Sequence, residues 1–241
     1  MLSKNEVKYI QTLGHKKSRD KEGVFIAEGP KMLEELIAGD FEIVKAFMVE
    51  GAQQVKQQNA IPITEISQQE LERISNLKTP NKVLVIAKQK VLSHEPKVQG
   101  KITLVLDGIQ DPGNMGTIIR IADWFGITEI VASENSVELY NAKVVQATMG
   151  SLCRVSVWYK KIEGWLPDIS VPVYGALLNG KSVYKIDKVE ECILVIGNES
   201  KGIHSEILSL INEPITIPKI GGAESLNAAV ATGIILSHLV K

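Results

Sequence analysis

Ile102-Thr-Leu-Val-Leu106 is a short apolar run without polar–apolar alternation, and it restricts the fold more than any other stretch of the chain. A strand with one wet face alternates apolar and polar residues. A continuous run is buried on both faces, as inside a parallel sheet covered by helices. The turn Asp111-Pro-Gly-Asn114 follows, then a helical pattern through Ile118, Ile119, Ala122 and Phe125 that Gly126 ends. Strands are expected over 128–132, 153–158, 172–177, 192–196 and 215–217, and helices over 141–149, 205–212 and 226–240. Repeated strand–helix units of this kind form an open α/β sheet, in which ligands sit beyond the carboxyl ends of the strands.

The first 90 or so residues read as a smaller α/β unit. Ser3 caps a helix over 3–14, Gly23–Gly29 is a strand running into a turn, and Pro30 opens a helix that Gly39 ends. Strands follow at Ile43–Val49, Ile61–Ile63 and Val83–Ala87, with a polar helix at 51–58 and a helix capped by Ser67. The stretch around 96–101 lacks periodicity and contains Pro96 and Gly100, so it separates a domain over 1–95 from one over 102–241.

Composition excludes several classes. The longest apolar runs are broken by Lys, Glu or Gly well short of the roughly 18–20 residues of a membrane span, so no membrane role is expected. The first residues carry no apolar signal core, which points to the cytoplasm. Cys153 and Cys192 lack CxxC spacing and read as buried thiols. The histidines at 15, 94, 204 and 238 lack metal-ligand spacing, so no metal is expected. The net charge is −1, yet Lys4, Lys8, Lys16, Lys17, Arg19 and Lys21 face only Glu6 and Asp20 in the first 21 residues. Such a cluster can hold phosphates, although a charged, solvated helix gives the same pattern.

Three loops stand at carboxyl ends of expected strands. The first, Leu106–Arg120, contains Pro112-Gly113, suited to a type II turn, Asn114 as a helix cap, and Arg120 among apolar neighbours. The second is Gly197-Asn-Glu-Ser-Lys-Gly202, where glycine at the strand end permits close backbone approach and Glu199 stands at a helix entrance. The third runs from Ile215 through Pro218 and Gly221-Gly222 to Ser225-Leu-Asn227, at the start of an apolar helix whose free N–H groups suit a polar ligand. GxGxxG does not occur, which argues against a nucleotide-dependent oxidoreductase.

Taken in order, Asn114-Met-Gly-Thr-Ile-Ile-Arg120, Gly197-Asn-Glu-Ser-Lys-Gly202 and Ile217-Pro218…Ser225-Leu-Asn-Ala-Ala-Val-Ala231 resemble the three motifs of the SpoU (TrmH) family of RNA ribose 2′-O-methyltransferases, within the SPOUT superfamily. Phe25-Ile-Ala-Glu-Gly29, after Lys16-Lys17-Ser-Arg19, resembles more loosely the ribosomal-protein-like substrate-binding domain of many members.

The resemblance implies a parallel α/β sheet with a C-terminal trefoil knot, a homodimer, and S-adenosylmethionine bound in the knot. It places the cofactor at Gly197, Ile217 and Leu226, with Asn198 and Gly202 in the same loop, and a polar catalytic cluster at Asn114, Arg120, Glu199, Ser225 and Asn227. In-line attack of a ribose hydroxyl on a sulfonium methyl needs alignment and removal of one proton. A guanidinium is a poor unaided base, so Arg120 suits a bidentate grip on the neighbouring phosphate. The base is Glu199, unless that carboxylate instead orients Arg120 or Asn114, or it is Arg120 if the site depresses its pKa or the RNA phosphate accepts its proton. RNA, ribosomal rather than transfer, is the expected partner, with Lys8, Lys16, Lys17 and Arg19 on its backbone. A non-catalytic RNA-binding factor with the same fold is the competing reading, and the intact polar cluster speaks against it.

Overall fold

The computed structural model describes residues 2–51 and 61–241, so the helix expected over 51–58 lies almost wholly outside the described residues. The chain divides into two compact units, Met1–Val91 with Tyr140–Cys153, and Leu92–Leu139 with Arg154–Lys241.

In the first unit, α1 (Lys4–Thr12) is followed by α2 (Lys16–Glu22), β1 (Val24–Glu28), α3 (Pro30–Ala38), β2 (Ile43–Val49), β3 (Ile63–Ile66), α4 (Gln68–Ile74) and β4 (Val83–Lys88). Ser3 and Ser67 begin α1 and α4 with full capping boxes, each paired with the glutamate three residues on. The sheet order is β1-β4-β2-β3, and β4 runs antiparallel to both neighbours. Its run Val83-Leu-Val-Ile-Ala87 is buried throughout, as a central strand must be. Ile10, Leu13, Leu71, Ile74 and Leu84 pack on one face of this sheet, and each contributes about 1.5–3 kcal/mol by leaving water.

In the second unit, β5 (Ile102–Asp107), α5 (Pro112–Trp124) and β6 (Glu129–Ser133) come first. Then α6 (Ala142–Thr148) packs against β1, within the first unit. The chain continues through β7 (Ser156–Lys160), α7 (Ile162–Trp165), β8 (Val173–Ser182), β9 (Cys192–Gly197), α8 (Ser205–Leu208), β10 (Glu213–Thr216) and α9 (Ala228–Leu239). The six strands lie in the order β10-β8-β9-β5-β6-β7 and every pair is parallel. The expected α/β parallel sheet is therefore present. β5 leads outward to β6 and β7, while its other neighbour, β9, belongs to the opposite wing. That reversal puts the loops after β5 and β9 side by side at the carboxyl edge, where open sheets bind ligands.

Among the described residues, no helix is long and apolar enough to cross a membrane, and no group of three His, Cys, Asp or Glu residues could hold a metal ion.

Candidate active site

The loop after β5 is pinned before it reaches α5. Gly108 takes φ +70°, which favours glycine, and its N–H donates to Ser133 Oγ at 2.8 Å. The Ile109 N–H donates to Ser136 Oγ at 3.1 Å. Asp111, not Asn114, is the cap of α5, and its carboxylate accepts the Asn114 N–H at 2.8 Å. Pro112 and Gly113 are the first helical residues, so the expected type II turn is absent. The reason is local: Asp is a strong cap, and proline directly after it has its φ already set for a helix. Asn114, relieved of capping, projects its amide from the first turn.

The loop after β9 closes on itself. Asn198 and Gly202 exchange backbone hydrogen bonds at 3.0 and 2.9 Å, and a Cβ on Gly197 would run into the Gly202 backbone. Asn198 Nδ2 donates to the Gly108 carbonyl at 2.7 Å, while its Oδ1 accepts the N–H groups of Ser200 and Lys201. Asn198 thus ties this loop to the one after β5.

Glu199 is half-buried beside it, and its Oε1 accepts a hydrogen bond from Asn114 Nδ2. Asn114 Oδ1 in turn accepts from Asn227 Nδ2 at 2.8 Å. Asn227 also caps α9, its Oδ1 taking the N–H groups of Ala229 and Val230 at 3.0 and 3.2 Å. The three separate loops therefore meet in one line, Asn227–Asn114–Glu199.

Two expected members lie off this line. Ser225 is exposed and makes no hydrogen bond among the described residues. Arg120 is exposed on α5, with no polar partner among the described residues. Six residues at about 100° each place it on a different side of the helix from Asn114. Trp124, one turn further, is 85% exposed on the same side as Arg120.

Between Thr216 and Asn227, Ile217 is half-buried, Leu226 is 47% exposed, and no backbone N–H of residues 218–226 donates a hydrogen bond among the described residues. Gly202 is exposed, with φ +70°. Residues 217–227 thus present unused donors next to apolar side chains.

Sequence reasoning missed one pair at this edge. Asp107 ends β5 almost fully buried, and its two oxygens accept the His204 backbone N–H at 2.7 Å and Nδ1–H at 2.8 Å. A carboxylate closing an apolar strand was the available signal, because burying it requires donors.

In the first unit, Lys8, Lys16 and Lys17 are exposed on α1 and α2. Arg19 is corrected: it is 2% exposed and its Nη1 donates to the Leu13 carbonyl at 2.7 Å, so it holds the α1–α2 turn instead of facing a ligand. Its placement three residues into a short helix that packs on β1 turns it inward.

A model described as the SpoU rRNA Methylase family matches residues 101–237. The chain belongs to the SpoU family. A second model, for the MRM3-like substrate binding domain, matches residues 4–85. Among SpoU-family relatives, the 23S rRNA (guanosine(2553)-2′-O)-methyltransferase RlmP of Bacillus subtilis is 30% identical over 98% of this chain and 97% of its own length. A TrmH-family protein from Porphyromonas gingivalis superposes with a TM-score of 0.88 at 36% identity, covering 100% of this chain and 98% of its own. The AdoMet-bound rRNA methyltransferase from Sinorhizobium meliloti does so at 0.87 and 29% identity, covering 99% and 95%. The SPOUT fold expected from the three motifs is thereby established, and the motifs coincide with the loops that meet at Asn114.

Proposed function

We propose that this protein transfers a methyl group from S-adenosylmethionine to a ribose 2′-hydroxyl of ribosomal RNA, in the cytoplasm and as a homodimer. The observation that carries the reading is the hydrogen-bonded line Asn227–Asn114–Glu199, which joins all three motif loops at the carboxyl edge of a parallel sheet. The relatives' names point the same way: one is a 23S rRNA 2′-O-methyltransferase and one an rRNA methyltransferase with AdoMet bound.

The residues fit the cofactor. The N–H groups of 219–226, without acceptors among the described residues, suit the hydrogen-bonding edge of an adenine, and Ile217 and Leu226 supply apolar contact for its faces. Gly197, Asn198 and Gly202 form the tight loop alongside. When bound, the cofactor supplies an electrophilic methyl carbon on a sulfonium. Asn114 fixes Glu199 through Oε1, and Oε2 is left without a partner among the described residues. That oxygen takes the proton of the attacking hydroxyl. Arg120 grips the adjoining phosphate and brings the 2′-oxygen into line. Ser225 and Asn227 orient the ribose. A 2′-hydroxyl is the feature that separates RNA from DNA.

The position of Arg120 supports the homodimer reading. It lies away from the Asn114 line on a face of α5 that also exposes Trp124, and Val230 of the adjacent α9 is 51% exposed. Pairing through this face buries apolar surface that a monomer leaves wet and lets Arg120 serve a site shared by two copies. The trefoil knot belongs to the same reading. α9 packs against α5 and β9, although β10, which precedes it, is the far edge strand, so residues 217–227 must cross the carboxyl edge to reach it. In this division of labour residues 1–95 receive RNA, with Lys8, Lys16 and Lys17 on phosphates, and 102–241 carry the transfer.

The test uses unmethylated ribosomal RNA and S-adenosylmethionine carrying a labelled methyl group. Label is expected in dinucleotides that resist alkaline cleavage, since a 2′-O-methyl group blocks attack on the neighbouring phosphodiester. RNA binding and cofactor binding without incorporation would favour the non-catalytic RNA-binding factor instead.

A further inference from the structure

The first unit contains a pocket of about 280 Å³ between the end of β1, the loop after α4, and α6. It falls just below the usual range for ligand sites, roughly 300–1,000 Å³, which suits one planar ring rather than a whole cofactor. Ile26 and Leu77 line it together with Ala142 and Ala147 of α6. The small alanines leave room beside apolar surface.

Its polar groups are few and of distinct kinds. Glu28 lines the pocket although only 4% exposed. Its Oε2 accepts from Ser75 Oγ at 2.5 Å and its Oε1 from the Asn76 N–H at 2.8 Å. Ser75 Oγ also accepts the Leu77 N–H at 3.0 Å, so the loop is locked onto the carboxylate. A carboxylate has about four acceptor positions, and these bonds use two. Each oxygen keeps one acceptor position, and Asn76, Gln146 and exposed Lys143 also line the pocket.

Resting on the RNA methyltransferase reading above, we propose that this pocket receives one unpaired guanine base of the RNA substrate. The apolar lining takes the faces of a splayed-out base. A carboxylate matches guanine best, because N1–H and the exocyclic amine present two adjacent donors on one edge. Uracil offers a single N–H between two carbonyl groups, which a carboxylate repels. Lys143 supplies the cation for the attached phosphate, and exposed Lys78 directly follows Leu77 in the loop. The preset Glu28 loop needs no reorganisation before binding.

The experiment follows backbone and side-chain amide signals of the full chain by NMR during titration with guanosine and uridine 5′-monophosphates, then separately with S-adenosylmethionine. Guanosine monophosphate is expected to shift Asn76, Leu77 and Gln146, with uridine monophosphate binding at least about tenfold more weakly. Ala147→Leu fills the pocket without touching the Glu28 bonds and is expected to weaken the guanosine response at least about tenfold. Glu28→Gln is expected to do the same, and Ala147→Leu remains decisive if that variant loosens the loop. Equal responses to the two nucleotides, or an unchanged response in Ala147→Leu, would overturn the guanine pocket. Binding of S-adenosylmethionine in those samples would leave the enzyme reading standing, whereas loss of cofactor binding in the unaltered chain would sink that reading instead.

Discussion

Asn114 donates its amide to Glu199 across 85 residues of sequence, linking the first turn of α5 to the loop that follows β9. The contact orients a carboxylate with an uncharged donor and leaves its second oxygen without a partner among the described residues. Asn114→Ala is expected to lower the methyl-transfer rate about 10- to 100-fold by releasing Glu199. Asn114→Asp sets a second carboxylate against the first, and like charges at contact repel. It is expected to be the slower variant, with a disturbed 197–202 loop. A rate for Asn114→Asp above that of Asn114→Ala would show that the contact does not orient Glu199.

Arg120→Ala is expected to reduce methyl transfer at least about 100-fold while cofactor affinity stays within a few-fold. Its position on α5, off the Asn114 line, means that its removal leaves residues 197–202 and 217–227 untouched. Single-turnover methyl incorporation beside calorimetry with S-adenosylmethionine separates the two quantities. Substantial turnover in the variant would remove Arg120 from the reaction.

Much of the site was legible because loop chemistry is local. A glycine where Gly197 must admit the Gly202 backbone and an asparagine before Ala228 can each be read without coordinates. What escaped was directional or shared. The β4 run is buried on both faces and reads the same parallel or antiparallel, so only pairing with β1 and β2 revealed its reversal. Asp111 and Asn114 are both good caps, and proline at 112 decides between them. Arg19 reads as one more surface cation until the packing of α2 turns it toward the Leu13 carbonyl.

Lys16→Glu combined with Lys17→Glu is expected to weaken RNA binding without unfolding the first unit. Lys16 and Lys17 are the first residues of α2, where cations oppose the helix dipole, so glutamates there favour the helix. Each lost phosphate contact reduces the salt dependence of log K by about 0.7–0.9. RNA affinity measured at several salt concentrations should fall with a slope shallower by about 1.4 to 1.8 in total. An unaltered slope would mean that these lysines do not touch phosphate.

Trp124→Glu tests the dimer. In a monomer a charge at this 85% exposed position costs little, whereas in a dimer joined through α5 and α9 it is buried without a partner. Sedimentation is expected to show a folded monomer for the variant and a dimer for the parent chain. Activity should fall together with association, because Arg120 shares the α5 face. A variant that still sediments as a dimer would place the interface elsewhere.

Cys192 begins β9 fully buried, and burial pushes its thiol from an ordinary value of 9.0 up to about 12, with the nearby Glu191 adding to the shift. The folded protein therefore keeps this proton through a range in which the unfolded chain gives it up. The sign follows directly. Below about pH 9 both states are protonated and stability is unaffected; from about pH 9 to about 12 the unfolded state gains the advantage and stability falls. Between pH 8 and pH 10.5 the loss from this thiol is about 2 kcal/mol. Burial raises the hydroxyls of Tyr140 and Tyr174 as well, which steepens the decline at its upper end. Urea denaturation at the two pH values should show the drop, and Cys192→Ala, which has no proton to lose, should show a smaller one. Alkylation in the native state at pH 8 should leave Cys192 unlabelled until denaturant is added. Rapid native labelling, or identical pH dependence in Cys192→Ala, would show that β9 is not the sealed central strand that the site loops require.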